Sequence, residues 1–159
     1  MADSSETPVA VEEPVLDRTE EPLTLRAVAS AFVGGAAGIV VMAPVIAGIP
    51  ILLGAFEVAP LERFADLVIA EADALLGAAF FVAGGVVVLP LFFLIWAPFL
   101  PPREPRYLRG ATISTLFWVS FVYVFWPGAG VLVDALFVVV TLVAHWLYGA
   151  VLGTVMQRL

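Results

Sequence analysis

Cysteine is absent from the 159 residues, and so is lysine. Without a thiol there is no disulfide, no thiolate metal site, no thiol-ligated iron–sulfur cluster and no cysteine nucleophile. Histidine occurs once, at His145, which rules out a haem held by two histidines of this chain and a multi-imidazole metal centre. Positive charge is scarce: seven arginines face fourteen carboxylates, for a net charge of −7 and a pI near 4.5. That sign disfavours a nucleic-acid partner. No nucleotide-binding loop, nucleophile elbow, HExxH or constellation of carboxylates appears, so the chain is expected not to be an enzyme and to bind no cofactor by itself.

What is plentiful is apolar surface. The composition is 62% hydrophobic and 13% charged, with a mean hydropathy of +1.07, far outside the range of soluble domains. The apolar residues fall into runs at least as long as the roughly 20 residues that cross a hydrocarbon core of about 30 Å. This patterning predicts an all-α integral membrane four-helix bundle with spans over about 27–56, 74–97, 111–126 and 131–156. Pro44 and Pro50 are expected to kink the first span or end it early, and Pro90 to kink the second. Between these two spans, Leu61, Phe64, Ala65, Val68 and Ala72 follow helical spacing, while Glu62, Arg63, Asp66 and Asp73 fall largely elsewhere. A short interfacial helix is expected there, lying flat on the membrane or capping the bundle.

Ahead of the spans, residues 1–24 form an acidic segment. Asp3, Glu6, Glu12, Glu13, Asp17, Glu20 and Glu21 stand against Arg18 alone, which accounts for −6 of the charge. With little apolar surface to offset the entropy of ordering, this tail is expected to be disordered when free, and carboxylates without lysine suit a halophilic cytoplasm. It has no basic n-region and is not read as a signal peptide. Arg18, Arg26, Arg103, Arg106, Arg109 and Arg158 fall on one side of a four-span chain and Arg63 on the other. The positive-inside bias therefore places both termini in the cytoplasm.

Small residues mark the helix-packing faces. Ser30, Gly34 and Gly38 recur every four residues with Ala31 and Gly35 beside them, and Gly149 and Gly153 form a GxxxG pair in the fourth span. Asp134, Thr141, His145 and Tyr148 share one helical stripe of that span. His145 should sit near the bilayer midplane, where an ionisable group is expensive and a functional candidate by default. Two readings of it stay open: an interhelical hydrogen bond that holds the bundle, or haem ligation, quinone contact or a proton path. Asp134 lies about 16 Å along the helix from His145 and suits a cap at the helix start. The cluster Arg103, Arg106 and Arg109 fits topology and anchoring, or contact with anionic lipid or a partner. The tryptophans, with Tyr107 and Tyr123, are expected at the membrane interfaces or in packing.

The glycine-rich first span FVGGAAGIVVMAP, the start RGATISTLFW of the third and the ending AHWLYGAVLGTVMQRL resemble a family of small haloarchaeal four-span membrane proteins. Its members have no established activity and are associated with cytochrome-oxidase gene clusters. The likeness covers roughly residues 25 to 159. Its most specific part is the pattern H-x-x-Y-G-x-x-L-G, met by His145, Tyr148, Gly149, Leu152 and Gly153, and the loop from Pro98 to Arg109 departs from it. The resemblance implies an accessory, non-catalytic subunit of a haem–copper oxidase or related respiratory complex in an archaeal cell membrane, in contact with lipid and other transmembrane subunits. A small homo-oligomeric transporter or channel, lined by the polar stripe of span four, is the alternative.

Overall fold

The computed structural model describes residues 24–71 and 73–159. Apart from Thr24, the acidic tail of 1–24 lies outside the described residues, as does Ala72. Five helices follow: α1 (Leu25–Leu52), α2 (Ala59–Asp66), α3 (Ala74–Phe99), α4 (Arg106–Phe125) and α5 (Val131–Arg158). All but α2 are long and apolar enough to span a bilayer. The chain is a multi-pass membrane protein, and its spans form a four-helix bundle.

Polar side chains start two of the spans. Thr24 accepts from the Ala27 N–H at 3.1 Å and Asp73 from the Leu76 N–H at 2.8 Å, each satisfying an orphan donor of the first turn. α5 instead opens after Gly130, whose φ of +106° suits glycine. Asp134, half-buried at the fourth position of α5, reaches back to accept from the Ala129 N–H at 3.1 Å and ties the turn to the helix.

Two span boundaries differ from expectation. α1 stops at Leu52 rather than near Phe56, because Gly54 takes φ +65° and the Ala55 N–H closes onto the Pro50 carbonyl at 2.8 Å, a left-handed glycine stop. α4 starts at Arg106 rather than Ala111. Arg106 and Arg109 are therefore helical residues that extend the span beyond its apolar stretch. The prolines of α1 and α3 interrupt neither helix fully. Each helix widens into a π turn, over Pro44–Gly48 and Gly84–Val88, which ends two residues before Pro50 and Pro90 respectively.

α5 is the central element, packed on α4 along one side and on α1 along another, while α3 packs on α1. Ala31, Phe93, Ala144, Tyr148 and Leu152 form the heart of the core and are almost fully buried. Long aliphatic side chains such as Ile95, Leu116 and Leu136 face outward, where lipid replaces water. α2 is docked rather than free. Ala65 is buried, Phe64 meets Phe125 with ring centroids 5.6 Å apart, and the Leu61 backbone lies so close to α3 that a Cβ on Gly77 would collide with it.

Candidate functional site: the α4–α5 seam and the break in α3

The polar stripe of α5 faces α4, and the two antiparallel helices meet at every fourth residue. Arg106, Gly110, Ser114 and Trp118 of α4 stand in turn against Gly153, Gly149, His145 and Thr141 of α5. A spacing of four on both partners is the ridge-into-groove packing that small-xxx-small pairs favour. Gly110 and Gly149 meet backbone to backbone: a Cβ on either would overlap the other's carbonyl. A Cβ on Gly153 would stand 2.8 Å from the Tyr107 Cα. No side-chain rearrangement relieves such contacts, because the obstructing atoms are main chain.

Beyond the glycines the seam is held by hydrogen bonds. The buried Ser114 hydroxyl donates to the His145 carbonyl at 2.6 Å. Trp118 Nε1 donates to Thr141 Oγ1 at 3.0 Å, and Trp146 Nε1 returns the pairing by donating to Thr115 Oγ1 at 2.8 Å. Trp118 and Trp146 thus sit within their spans as interhelical donors and not at an interface belt. The Thr141 hydroxyl donates in turn to the Phe137 carbonyl at 2.6 Å. Nδ1 of His145 donates to the Thr141 carbonyl at 2.7 Å, and its ring packs on Phe121 with centroids 4.9 Å apart. A carbonyl only accepts, so this bond places a proton on Nδ1, and in the neutral ring Nε2 carries the lone pair.

Tyr148 leaves the seam and reaches α3. Its ring crosses α1 at Gly38, where a Cβ would stand 2.7 Å from Tyr148 Cδ2, and its hydroxyl donates to the Gly85 carbonyl at 2.5 Å. The reason that carbonyl needs a donor lies in the sequence. In the π turn the Leu89 N–H bonds to the Gly84 carbonyl, so the next donor in register belongs to residue 90, which is proline and has none. Within hydrocarbon no water can replace it. The phenol of Tyr148 fills the gap from another helix. Gly35 of α1 lies against the same break, close enough that a Cβ there would collide with the Pro90 ring and the Gly85 carbonyl.

Of the residues singled out in the sequence, Thr141, His145 and Tyr148 are all buried, with 4%, 5% and 1% exposure; the first two belong to the α4–α5 seam, and Tyr148 makes its hydrogen bond separately, to the break in α3. Asp134 does not join them and serves the helix start instead. Ser30, Gly34, Gly35, Gly38, Gly149 and Gly153 all lie in buried contacts. Ser30 also returns its hydroxyl to the Ala27 carbonyl at 2.9 Å. Arg109 turns inward with 14% exposure. It donates to the Ala97 carbonyl at 3.3 Å and to the Arg103 carbonyl, and pairs with Glu104 at 3.5 Å, so it finishes the end of α3 rather than facing a headgroup. Arg106 is half-buried with its guanidinium 5.9 Å from the Phe93 ring centre, while Arg103 is exposed. Ser114 and Trp118 at the seam, and Gly85 at the break, are hydrogen-bond partners that single-helix periodicity did not reveal. Pro90 was the one available signal, since an intramembrane proline announces a carbonyl in need of a donor. Among the described residues no three His, Cys, Asp or Glu side chains come together to hold a metal ion.

These features define a polytopic α-helical membrane protein whose buried polar groups join its own helices. Residues 25–159 match DUF6789, a family of unknown function, and the chain belongs to it. No curated protein and no solved structure matches the chain.

Proposed function

We propose that the protein is an accessory, non-catalytic transmembrane subunit of an archaeal respiratory complex of the haem–copper oxidase type, with both termini in the cytoplasm. The observation that carries the subunit reading is the free face of α1. Ala29, Val33, Ala36, Val40 and Ala43 are all exposed and are spaced alternately by four and three residues, the heptad seam of a helix that packs on another helix. On α4 and α5 most exposed positions are bulky, among them Leu116, Val119, Leu132, Leu136 and Val139, with Ser120 and Ala135 as isolated small ones. Small residues on an outward face suit close approach by another backbone more than contact with acyl chains. The internal polar groups are engaged in bundle contacts, which supports a packing role over catalysis. The oxidase association rests on the family resemblance, and the cytoplasmic assignment on the arginine bias.

The test is mild-detergent extraction of native membranes and capture of this chain. Stoichiometric recovery of oxidase subunits is expected, and Ala36→Trp should abolish that recovery while leaving the isolated bundle folded. Recovery of the chain without respiratory subunits would overturn the reading.

The alternative, a small homo-oligomeric transporter or channel, is favoured by one feature: α1 and α3 each carry a π turn followed by a proline, the kind of discontinuity that transporters place at substrate sites. That reading expects recovery as a homo-oligomer and a solute or proton flux in liposomes that His145→Leu removes.

A further inference from the structure

At the end of the bundle away from the arginine cluster, the chain between α1 and α3 exposes apolar side chains that belong to no span. Leu53 is 75% exposed, Val58 51%, Leu67 69%, Val68 65% and Ile69 50%. In sequence they lie between Leu52, at the end of α1, and Leu75, in the first turn of α3, which are 87% and 78% exposed. The apolar face of α2 does not account for them. It is already spent on α3 and α4 through Leu61, Phe64 and Ala65. Three consecutive aliphatic residues in the turn that follows α2 are thus left with no protein to cover them.

The height of this turn follows from its neighbours. The Leu61 backbone packs on Gly77, which lies one turn into α3, about 5 Å from the helix start. α2 therefore sits at the depth where the span meets the headgroups, not above it in water. The charged residues of the segment, Glu57, Glu62, Arg63, Asp66, Glu71 and Asp73, are also exposed, and they can reach the aqueous side of the same boundary. Five carboxylates against one arginine give no attraction to an anionic leaflet, so apolar area must make the contact.

We infer that residues 67–69, with Leu53 and Val58, form a wedge inserted among the lipid chains just beneath the headgroups, and that its partner is the bilayer itself. The docked helix α2 holds the wedge at fixed depth. The inference does not depend on the chain's belonging to a respiratory complex.

The absence of native cysteine makes the test clean. Val68→Cys, Leu53→Cys and Glu57→Cys variants of the full chain, each nitroxide-labelled in zwitterionic nanodiscs, are compared for relaxation by oxygen and by a water-soluble nickel chelate. Labels at 68 and 53 are expected to be several-fold more accessible to oxygen relative to nickel than the label at 57. Equal nickel accessibility at 68 and 57 would put the turn in water and overturn the proposal. Poor access of both reagents at 68 would also overturn it, by showing that protein covers the wedge. Leu53, on a different part of the chain, keeps the test decisive if the variant at 68 fails to fold.

Discussion

The two helix pairs of this bundle are built from the same small residues and joined in different ways. α4 and α5 meet through glycines at one end of their seam and through Ser114, Trp118, Thr141 and His145 along the middle, so contact recurs at each helical turn. α3 is joined to the rest by close approach at Gly35 and Gly85 and by two separated hydrogen bonds, the Tyr148 hydroxyl on a carbonyl that proline has stripped of its donor and Arg109 on the Ala97 carbonyl at the helix end. Close backbone approach supplies dispersion and excludes lipid in both places. Only the first pair adds hydrogen bonds that fix register turn by turn. The lesson is that glycine brings two helices near, while polar groups decide how they are aligned.

Three substitutions would break or sharpen this contrast. The largest effect is expected for Gly149→Ala, whose methyl group meets the Gly110 carbonyl and the Ala111 nitrogen with nothing to yield. A loss of about 3 kcal/mol, the upper part of the range for overpacking, should appear in denaturation by SDS in mixed micelles. Tyr148→Phe removes one hydroxyl and leaves the Gly85 carbonyl without it. The expected cost is about 1–2 kcal/mol, with faster amide exchange confined to the π turn of α3 and none along the α4–α5 seam. If protection fell equally in both places, the two pairs would be one cooperative unit and the contrast would fail. The smallest effect is expected at Gly84, also in the break, where an added Cβ meets nothing within 4 Å. Gly84→Ala should not destabilise the bundle, and should raise its stability by at most about 1 kcal/mol in the same assay.

The sequence made the spans legible because twenty apolar residues in a row have few other uses. Their ends were harder to read. Gly54 ends α1 by its positive φ, which composition does not announce within the apolar run GIPILLGAF, and the arginines of α4 look like a loop because charge marks where hydrocarbon stops, not where a helix does. Within the site, the shared face of Thr141, His145 and Tyr148 followed from helical period alone. Their partners did not, because period orders residues within one helix and says nothing of which helix lies opposite. Ser114 and Trp118 become visible only once the antiparallel register with α5 is known. Asp134 satisfied the same periodicity and still took a different task, since it stands where the helix begins and backbone donors are at hand.

The turn between α4 and α5 occupies only residues 126–130, so these two spans are delivered to the membrane in immediate succession. A single helix bearing His145, Thr141 and Tyr148 would carry its polar groups into hydrocarbon without interhelical partners. A hairpin that closes first enters with Ser114 on the His145 carbonyl and Trp118 on the Thr141 hydroxyl, and part of the penalty for these groups is met before they leave the aqueous side. The seam that aligns the finished helices is in this sense also a device for biogenesis, making a span with buried polar side chains easier to insert when it arrives as one half of a pair.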